Sequence, residues 1–475
     1  MRSQLSSGAR WSLAVQIVTR IVSFVRVAIL ARFLRPDDFG VFAIVSTVIG
    51  FCVIVAESVV TVYITQQHTE SATYLDSAFS FNLMLTLGLT ILVIGLAPIL
   101  AVFYAIPAVL PLLITLGLSF FLYLLSGVHL ARLRLRFDFR AIGLTVTISQ
   151  MALLSSSVTF AVLGLGVWAF ALSTAIGFLV AALMLWLRSG WVPRTNYDLA
   201  QWRRIWRLGQ PAAAASAVSY LLLNIDNAVV GKVLGPADLG QYSLAYNYGS
   251  LLPNTVGQAS SETAVPALAA LSSDITRFRQ LFLKAGRLSA LVIAPISCIF
   301  IVFAQQIFDL ILGPQWAGAI MPFRILVVLG FFRAIYPDVF VLLGKPQFGF
   351  FLGLCTLAIA FLALITFASK GIVVVAAFMT VILAASHVIR ILVSLRLMKL
   401  PLTVLGSELL PYCATSLFLL FYLAWSHSFA VESFGHLLFA VSGGVLVYIL
   451  ALRIFFRARF QEAGTWLLRF SGFGY

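Results

Sequence analysis

The stretch Ala31 to Gly40 reads ARFLRPDDFG, and it recurs 200 positions later, where Gly231 to Gly240 reads GKVLGPADLG. Four of the ten positions are identical, and both copies contain the pattern L-x-P-x-D-x-G. Each copy follows an apolar segment of about 20 residues, which is the length that crosses a bilayer as a helix. A repeat of this period predicts two similar multi-helix lobes rather than a solenoid of short units.

The composition around this repeat is that of a membrane protein. Hydrophobic residues make up 61% of the chain and charged residues 10%, and the mean hydropathy is +1.05. These values lie outside the range of soluble domains. We predict an all-α polytopic membrane protein with about 14 transmembrane helices. These predicted spans 1 to 14 lie in order at residues 11–31, 40–63, 78–104, 108–130, 141–164, 166–187, 210–232, 240–265, 285–304, 320–343, 347–367, 371–393, 407–426 and 434–455. Two six-helix lobes related by a pseudo-two-fold axis along the membrane normal are followed by two C-terminal helices.

The predicted division places an N-lobe at residues 1–187 (spans 1 to 6) and a C-lobe at residues 209–393 (spans 7 to 12). Residues 394–475 hold spans 13 and 14 and a cytoplasmic tail. Residues 188–208 form a linker in which Leu199, Trp202, Ile205 and Trp206 recur at helical spacing between arginines. This pattern predicts a cationic amphipathic helix lying on the inner membrane surface.

The net charge of +15 is concentrated on one side of the predicted topology. Most Lys and Arg residues lie at the termini and in even-numbered connections. The odd-numbered connections hold only Arg32, Arg35, Lys232 and Lys370. This positive-inside bias predicts that both termini are cytoplasmic, and it argues against nucleic acid as a partner.

Catalytic and metal-binding patterns are not evident in the sequence. The four Cys residues are scattered singly in apolar segments, and the five His residues are far apart. No connection carries the group of acids or histidines that acid/base catalysis needs. We therefore predict no metal and no cofactor, and we expect that the chain is not an enzyme.

Polar side chains form a stripe on predicted spans 1 and 7, and a third set follows on span 8. At about 100° per residue, each set lies along one side of its helix. The members are Ser12, Gln16, Thr19, Arg20, Ser23 and Arg26 on span 1, Ser216, Ser219, Tyr220, Asn224, Asp226 and Asn227 on span 7, and Ser243, Asn247, Asn254, Gln258 and Ser261 on span 8, where Glu262 lies beside the stripe. These three spans are the most polar of the predicted bundle.

Eight ionisable residues lie inside apolar stretches: Arg20, Arg26, Glu57, Asp226, Glu262, Arg324, Arg333 and Asp338. Each would cost about 2.5 to 3.5 kcal/mol if it faced hydrocarbon. They therefore either pair with one another between helices or line a water-filled cavity between the lobes. The repeat-related stripes favour the cavity for Arg20, Arg26 and Asp226, while both alternatives stay open for Glu57, Glu262 and Asp338.

Arg26 and Asp226 occupy equivalent positions of the repeat, so we expect them to face each other at similar depth. One hypothesis is a gate pair that parts when a ligand phosphate competes for the guanidinium, which suits bidentate phosphate binding. Glu57 and Glu262 are the further candidates for gating or ion coupling.

The sequence also resembles a known family. The resemblance lies in GARWSLAVQIVTRIVSFVRVAILARFLRPDDFGVFAIV near the N-terminus and NIDNAVVGKVLGPADLGQYSLAYN in the second half. These stretches resemble the polysaccharide-export flippases of the multidrug/oligosaccharidyl-lipid/polysaccharide (MOP) superfamily, and within it the Wzx branch. The resemblance covers essentially the whole chain.

The resemblance implies a flippase in the bacterial cytoplasmic (inner) membrane. It implies that undecaprenyl-diphosphate-linked oligosaccharide is moved outward by alternating access, for exopolysaccharide, O-antigen or capsule assembly. The partners it implies are this glycolipid, membrane lipids, a polysaccharide polymerase and a chain-length regulator. By position, the diphosphate and glycan roles of the family fall on Arg20, Arg26, Asn224, Asp226 and Arg333, and we add Asn227, Asn254 and Gln258 as cavity residues.

One departure from the family bears on the substrate. The drug-exporting relatives place an essential acid in the first span, where this chain has Arg20 and Arg26. Export of organic cations is therefore disfavoured. Two alternatives remain, a flippase for the peptidoglycan lipid precursor and a membrane enzyme acting on polyprenyl-linked glycan.

Overall fold

The computed structural model describes the backbone of residues 2–67, 72–271, 274–427 and 434–461. Within these ranges, side chains are described outside residues 2–14, 16–17, 62, 65–67, 72–73, 251–254, 258–263 and 434. All regular elements in the described part of the chain are helical, which confirms the predicted all-α fold class.

Sixteen α-helices follow one another along the described chain. They are α1 (Arg2–Phe33), α2 (Pro36–Gln67), α3 (Ala72–Tyr104), α4 (Val109–Leu125), α5 (Gly127–Leu135), α6 (Phe139–Val162), α7 (Trp168–Ser189), α8 (Leu199–Val233), α9 (Pro236–Ala270), α10 (Ile275–Val302), α11 (Ala304–Ile311), α12 (Ile320–Ala334), α13 (Pro346–Phe367), α14 (Ile372–Leu397), α15 (Thr403–His427) and α16 (Phe434–Phe455). Two short 3₁₀ helices lie at Pro314–Ala319 and Ala368–Lys370.

Twelve segments of the described residues are long and apolar enough to cross a membrane. They include α4 and α5 together, which form one segment over Val109–Leu135. Two further long helices, α1 and α9, coincide with predicted spans 1 and 8. The chain is thus a multi-span membrane protein, while the total of fourteen spans and the symmetry of the lobes stay predictions.

The chain divides into two compact units. Unit 1 comprises Met1–Ser243 and Phe361–Gly371, and unit 2 comprises Leu244–Ala360 and Ile372–Tyr475. Unit 1 includes α8, the helix with which the predicted second lobe begins, because α8 packs extensively along α2. The predicted lobe boundaries themselves stay a prediction.

Neutral hydrogen bonds join α2 and α8 inside unit 1. The Ser58 hydroxyl donates to Ser216 Oγ at 2.8 Å, and the Tyr220 hydroxyl donates to the Thr47 carbonyl at 3.0 Å. A Cβ added at Gly50 would lie 2.3 Å from the Tyr220 hydroxyl, so this pair of helices approaches closely. Part of the polar stripe of span 7 therefore serves helix packing, as small and hydroxylated residues commonly do in membranes.

The two copies of the repeat touch each other in unit 1. A Cβ added at Gly40 would lie 1.8 Å from the Pro236 carbonyl oxygen, and one added at Gly240 would lie 1.9 Å from the Pro36 carbonyl oxygen. Both distances are far below van der Waals contact. The last residue of the L-x-P-x-D-x-G pattern is therefore glycine in both copies because the starts of α2 and α9 cross backbone to backbone.

The two copies begin their helices by different local chemistry. Each places proline at the first helical position, where its fixed φ suits the helix and no N–H is lost. Before Pro36, the Arg35 N–H donates to Asp38 Oδ2 at 3.1 Å. Before Pro236, Gly235 adopts a left-handed conformation with φ of 88°. Glycine takes this conformation at little cost, whereas an arginine there would be strained.

The predicted linker helix differs from the structure. Residues 190–198 are not helical, and α8 runs without interruption from Leu199 to Val233. Asp198 caps its start by accepting from Ala200 N at 2.9 Å, and Ile205 is buried in a cluster with Val59 and Tyr63. The expected separate surface helix is thus the first part of α8, in which Ile205 and Trp202 pack against protein while Leu199 and Trp206 are exposed.

The non-helical connection before α8 is bound to α3. The Arg194 N–H donates to Asp76 Oδ1 at 3.0 Å, and the Asn196 N–H donates to Ser80 Oγ at 2.8 Å. Both acceptors are buried on α3. The connection therefore satisfies its backbone groups on a neighbouring helix rather than in water.

Predicted span 10 ends earlier in unit 2 than the sequence predicts. The sequence predicts a helix over 320–343, but α12 ends at Ala334 and regular helix resumes only at Pro346. Pro337 lies in the interruption, where it lacks an N–H and its ring would clash with a preceding helical carbonyl. Asp338 consequently lies on a non-helical segment, not inside a transmembrane helix.

The two C-terminal helices are an integral part of unit 2, where α15 packs against α10 and α16 packs against α15. Glu408 on α15 accepts from Arg287 at 2.6 Å and from Arg459 at 3.2 Å. The glutamate is 8% exposed. A carboxylate between two arginines therefore joins α10 and α15 to the segment after α16.

Candidate functional site

Arg26 lies on α1, and its guanidinium contacts α7. Nη2 donates to Ser173 Oγ at 3.4 Å, and the guanidinium carbon lies 5.6 Å from the centre of the Phe170 ring. Nε is buried without a hydrogen-bond partner. No carboxylate among the described residues lies within salt-bridge distance of it. Among the described residues, Arg26 is thus a partly enclosed cation that contacts a hydroxyl and an aromatic face.

Asp226 is 1% exposed on α8. The Tyr242 hydroxyl donates to its Oδ2 at 2.6 Å, and the Asn227 N–H lies 2.9 Å from its Oδ1. Tyr242 belongs to the first turns of α9 and is fully buried. The acid therefore connects the end of α8 to the start of α9.

No salt bridge joins Arg26 and Asp226 among the described residues, and that the two residues face each other stays a prediction. The described contacts of Arg26 are with Ser173 and Phe170, whereas Asp226 contacts Tyr242. The reason lies in the packing, because α1 lies against α6 and α8 lies against α2. Their role as a gate stays a prediction.

The two asparagines of the N-x-D-N sequence make local hydrogen bonds on α8. Asn224 Nδ2 donates to the Tyr220 carbonyl at 2.9 Å, and Asn227 Nδ2 donates to Asn224 Oδ1 at 3.4 Å. Both side chains are half-buried. The amides therefore retain donor and acceptor capacity beyond these bonds.

Glu57 on α2 accepts a hydrogen bond from the Tyr123 hydroxyl of α4 at 3.1 Å. Tyr123 also lines a crevice of about 190 Å³, whose polar lining includes Thr145, Ser149 and Gln150 on α6. No cation among the described residues is within salt-bridge distance of Glu57. This acid therefore has a neutral donor for a partner.

A second group of cations lies in unit 2. Arg333 Nη1 donates to the Tyr246 hydroxyl at 3.1 Å, and Arg390 Nη1 contacts Asp338 Oδ2 at 2.7 Å. His387 lies within electrostatic reach of both arginines. Asp338 is therefore an ion-pair partner, which is the structural alternative that the sequence left open for it.

Sequence reasoning missed the partners of these residues, namely Ser173, Phe170, Tyr242, Tyr123, Tyr246, His387 and Arg390. Most are hydroxyl or aromatic residues in apolar helices, which have no distinctive spacing. Arg390 carried the one available signal, a cation near the end of a predicted span.

The remaining predicted residues are located only in part. Arg20 is half-buried on α1. Asn254, Gln258 and Glu262 belong to α9, but their side chains lie outside the described residues. In the part of the chain that is described, no three His, Cys, Asp or Glu residues are grouped as metal ligands would be.

Two comparisons with protein sequences bear on this site. A family model described as "Polysaccharide biosynthesis protein" matches residues 29–321. The chain is 24% identical to the lipopolysaccharide biosynthesis protein WzxC of Escherichia coli (strain K12), over 70% of this chain and 68% of that protein. It is 26% identical to the succinoglycan biosynthesis transport protein ExoT of Rhizobium meliloti (strain 1021), over 65% of this chain and 63% of that protein.

The fold is similar to that of the lipid II flippase MurJ in an inward closed conformation, with a TM-score of 0.77. The match covers 94% of this chain and 99% of MurJ at 18% sequence identity. ExoT is named as a transport protein and MurJ as a flippase, so these similar proteins are transporters rather than enzymes. Because the family model spans more than half of its length, the chain belongs to the polysaccharide biosynthesis protein family.

Proposed function

We propose that the chain translocates undecaprenyl-diphosphate-linked oligosaccharide repeat units across the bacterial cytoplasmic membrane by alternating access. The transported units would serve exopolysaccharide, O-antigen or capsule assembly. Membership of the polysaccharide biosynthesis protein family supports the glycan, and the fold shared with a lipid flippase supports the lipid carrier. A polymerase and a chain-length regulator would use the product on the outer face.

The observation that carries the proposal is the state of Arg26. Its Nε is buried and unbonded, and no described carboxylate neutralises the guanidinium. Keeping such a cation out of water is costly unless an anion completes it. A diphosphate offers several oxygens to the fork of N–H groups on arginine, and such charge-assisted bonds are strong.

The other predicted residues take roles that match their chemistry. Arg20 and Arg333 would add positive charge for the diphosphate, while side-chain amides would bind sugar hydroxyls. Glu57, Glu262 and Asp226 are the acids available for ion coupling or gating. The amide residues are Asn224, Asn227, Asn254 and Gln258.

Transport in proteoliposomes tests the proposal. A fluorescent polyprenyl-diphosphate oligosaccharide is placed in the outer leaflet, and its loss of access to a membrane-impermeant lectin is followed. The wild type should accelerate this loss, and Arg26→Gln should slow it by about tenfold, the effect of about 1.4 kcal/mol in binding. Arg396→Gln removes an exposed arginine from the end of α14 and serves as the control.

The two variants separate the possible outcomes. Full transport by Arg396→Gln together with slow transport by Arg26→Gln supports the proposed role of Arg26. Equal rates in both variants would remove that role. Wild-type vesicles no faster than empty ones would contradict the proposed function itself.

A second candidate, transport of the peptidoglycan lipid precursor, is favoured by the coverage of the MurJ fold. The same vesicles distinguish the two when they carry lipid II in place of the oligosaccharide repeat unit. We expect the repeat unit to be transported faster, because the sequence relatives are named for cell-surface polysaccharides. Faster transport of lipid II would favour the second candidate.

A further inference from the structure

A cavity of about 410 Å³ lies where α6 begins and α7 ends, within unit 1. It is lined by Asp138, Arg140, Ala141, Leu144 and Arg188. Neither the described part of predicted span 1 nor that of span 7, which carry the residues proposed for transport, contributes to it. The cavity is therefore separate from the candidate transport residues of unit 1.

The charges of this cavity leave room for an anion. Arg140 and Arg188 are exposed, and neither forms a hydrogen bond or an ion pair within the described chain. The one acid present, Asp138, uses Oδ1 as the N-cap of α6, where it accepts from Ala141 N at 2.9 Å. Two guanidinium groups thus face one carboxylate that is already hydrogen-bonded.

Apolar side chains next to the cavity are suited to lipid. Phe137 is 61% exposed beside Arg136, and its ring centre lies 6.2 Å from that of Phe139. Leu187, adjacent to Arg188, is 65% exposed. Arginines flanked by exposed apolar groups at helix ends are typical of the boundary between headgroups and acyl chains.

We propose that this cavity binds the headgroup of an anionic phospholipid that carries a free hydroxyl, such as phosphatidylglycerol. Arg140 and Arg188 bind the phosphate, and the second carboxylate oxygen of Asp138 accepts from the headgroup hydroxyl. Leu144 and Phe137 contact the upper part of the acyl chains. Basic pockets between helices on the cytoplasmic side are suited to such headgroups.

The position along the chain agrees with this assignment. The cavity joins the connection after predicted span 4 to the end of predicted span 6, and both are even-numbered positions. The positive-inside bias predicts that this side is cytoplasmic, where the membrane surface is negative. The lipid would fasten the ends of two helices to the inner leaflet.

Native mass spectrometry of protein released from nanodiscs tests the proposal. The nanodiscs hold phosphatidylglycerol and phosphatidylcholine in equal amounts, and the retained lipid is counted. The wild type should retain phosphatidylglycerol preferentially. Arg140→Gln with Arg188→Gln should lower this retention about 25-fold, because each cation near an anionic surface contributes about fivefold. Arg203→Gln with Arg207→Gln removes the same charge from exposed positions of α8 and should leave it unchanged.

Further outcomes decide the ligand. Equal losses in the two double variants would show a general surface attraction and overturn the cavity site. Displacement of the lipid by millimolar inorganic phosphate would assign the cavity to soluble phosphate instead. Equal retention of phosphatidylcholine and phosphatidylglycerol by the wild type would also overturn the proposal.

Discussion

Arg26 in unit 1 and Arg287 in unit 2 are both arginines inside long, largely apolar helices, but they have different partners. Arg287 contacts Glu408 at 2.6 Å, and Arg459 contacts the same carboxylate. Arg26 contacts a serine hydroxyl and a phenylalanine ring. The charge of Arg287 is neutralised by a buried carboxylate, whereas the charge of Arg26 has no carboxylate partner among the described residues and can still bind an anion.

The contacts between helices also differ between the two units, with ion pairs described in unit 2 and neutral contacts in unit 1. In unit 1 the described contacts of α2 with α8 and with the start of α9 are close backbone approaches at glycine and neutral hydrogen bonds, such as that of Tyr220 to Thr47. In unit 2, ion pairs at Glu408 and Asp338 join different helices and segments. Arg26 of unit 1 takes part in no such ion pair among the described residues, which leaves its guanidinium available for a ligand.

The largest expected effect is loss of the ion pairs of unit 2. Glu408→Ala leaves the Arg287 and Arg459 guanidinium groups without their shared carboxylate, and breaking a buried pair costs about 4 kcal/mol. The melting temperature of the purified protein in detergent should fall by many degrees. Glu408→Gln keeps two acceptor lone pairs and should cost less. Unchanged melting in both variants would show that this group does not stabilise unit 2.

The next effect concerns the contact between the repeats in unit 1. Gly40→Ala and Gly240→Ala each place a methyl group against a proline carbonyl, and such overpacking costs about 3 kcal/mol. The two variants should melt at similarly reduced temperatures because the contact is reciprocal. Gly88→Ala is the control, since its added Cβ meets nothing within 4 Å. A melting temperature left unchanged by Gly40→Ala or by Gly240→Ala would show that close backbone packing at these glycines does not stabilise unit 1.

Asp226→Ala tests whether the buried acid of unit 1 is structural. The change leaves the buried Tyr242 hydroxyl without its acceptor, which costs about 2 kcal/mol. Asp226→Asn keeps an acceptor and should cost under about 1 kcal/mol. Melting curves of the two variants show whether stability depends on an acceptor for the Tyr242 hydroxyl at position 226. If Asp226→Asn melts normally but abolishes transport, the acid acts in gating or coupling beyond its structural contact.

The smallest effect is expected at Asp338. Its side chain is 50% exposed, and that of Arg390 is 21% exposed. Asp338→Asn should therefore lower stability by only about 0.5 kcal/mol, as for other solvent-accessible pairs. A loss of stability as large as that caused by Glu408→Ala would mean that the Asp338–Arg390 pair is shielded from solvent. The ion pairs at Asp338 and Glu408 would then stabilise unit 2 to a similar extent.

The sequence predicted the helical fold and the approximate spans, because long apolar runs and the L-x-P-x-D-x-G repeat are local signals. It did not predict the break in span 10, since apolar residues continue on both sides of Pro337 and hide it. It also placed a boundary before Pro211, although α8 continues through this residue from its cap at Asp198. Proline therefore ended one predicted helix and not another, and tertiary packing decided which.

The candidate site was predictable as a set of residues but not as a set of contacts. Arg26 and Asp226 stand out because ionisable side chains are rare inside apolar segments. Their partners Ser173 and Tyr242 do not, because serine and tyrosine are common in membrane helices and their pairing depends on which helices pack together. Equivalent positions in the repeat led us to expect Arg26 and Asp226 to face each other, but no salt bridge joins them within the described residues.

The most direct test of the account is to measure stability and diphosphate binding together in Arg26→Gln. Melting in detergent reports stability, and fluorescence anisotropy of a labelled short-chain polyprenyl diphosphate reports affinity. We predict that the variant melts at or above the wild-type temperature, because a partly enclosed cation without a carboxylate partner is removed. Its Kd should rise about tenfold, which corresponds to about 1.4 kcal/mol. A variant that melts early and binds the diphosphate normally would show that Arg26 holds the fold together, and it would contradict the account.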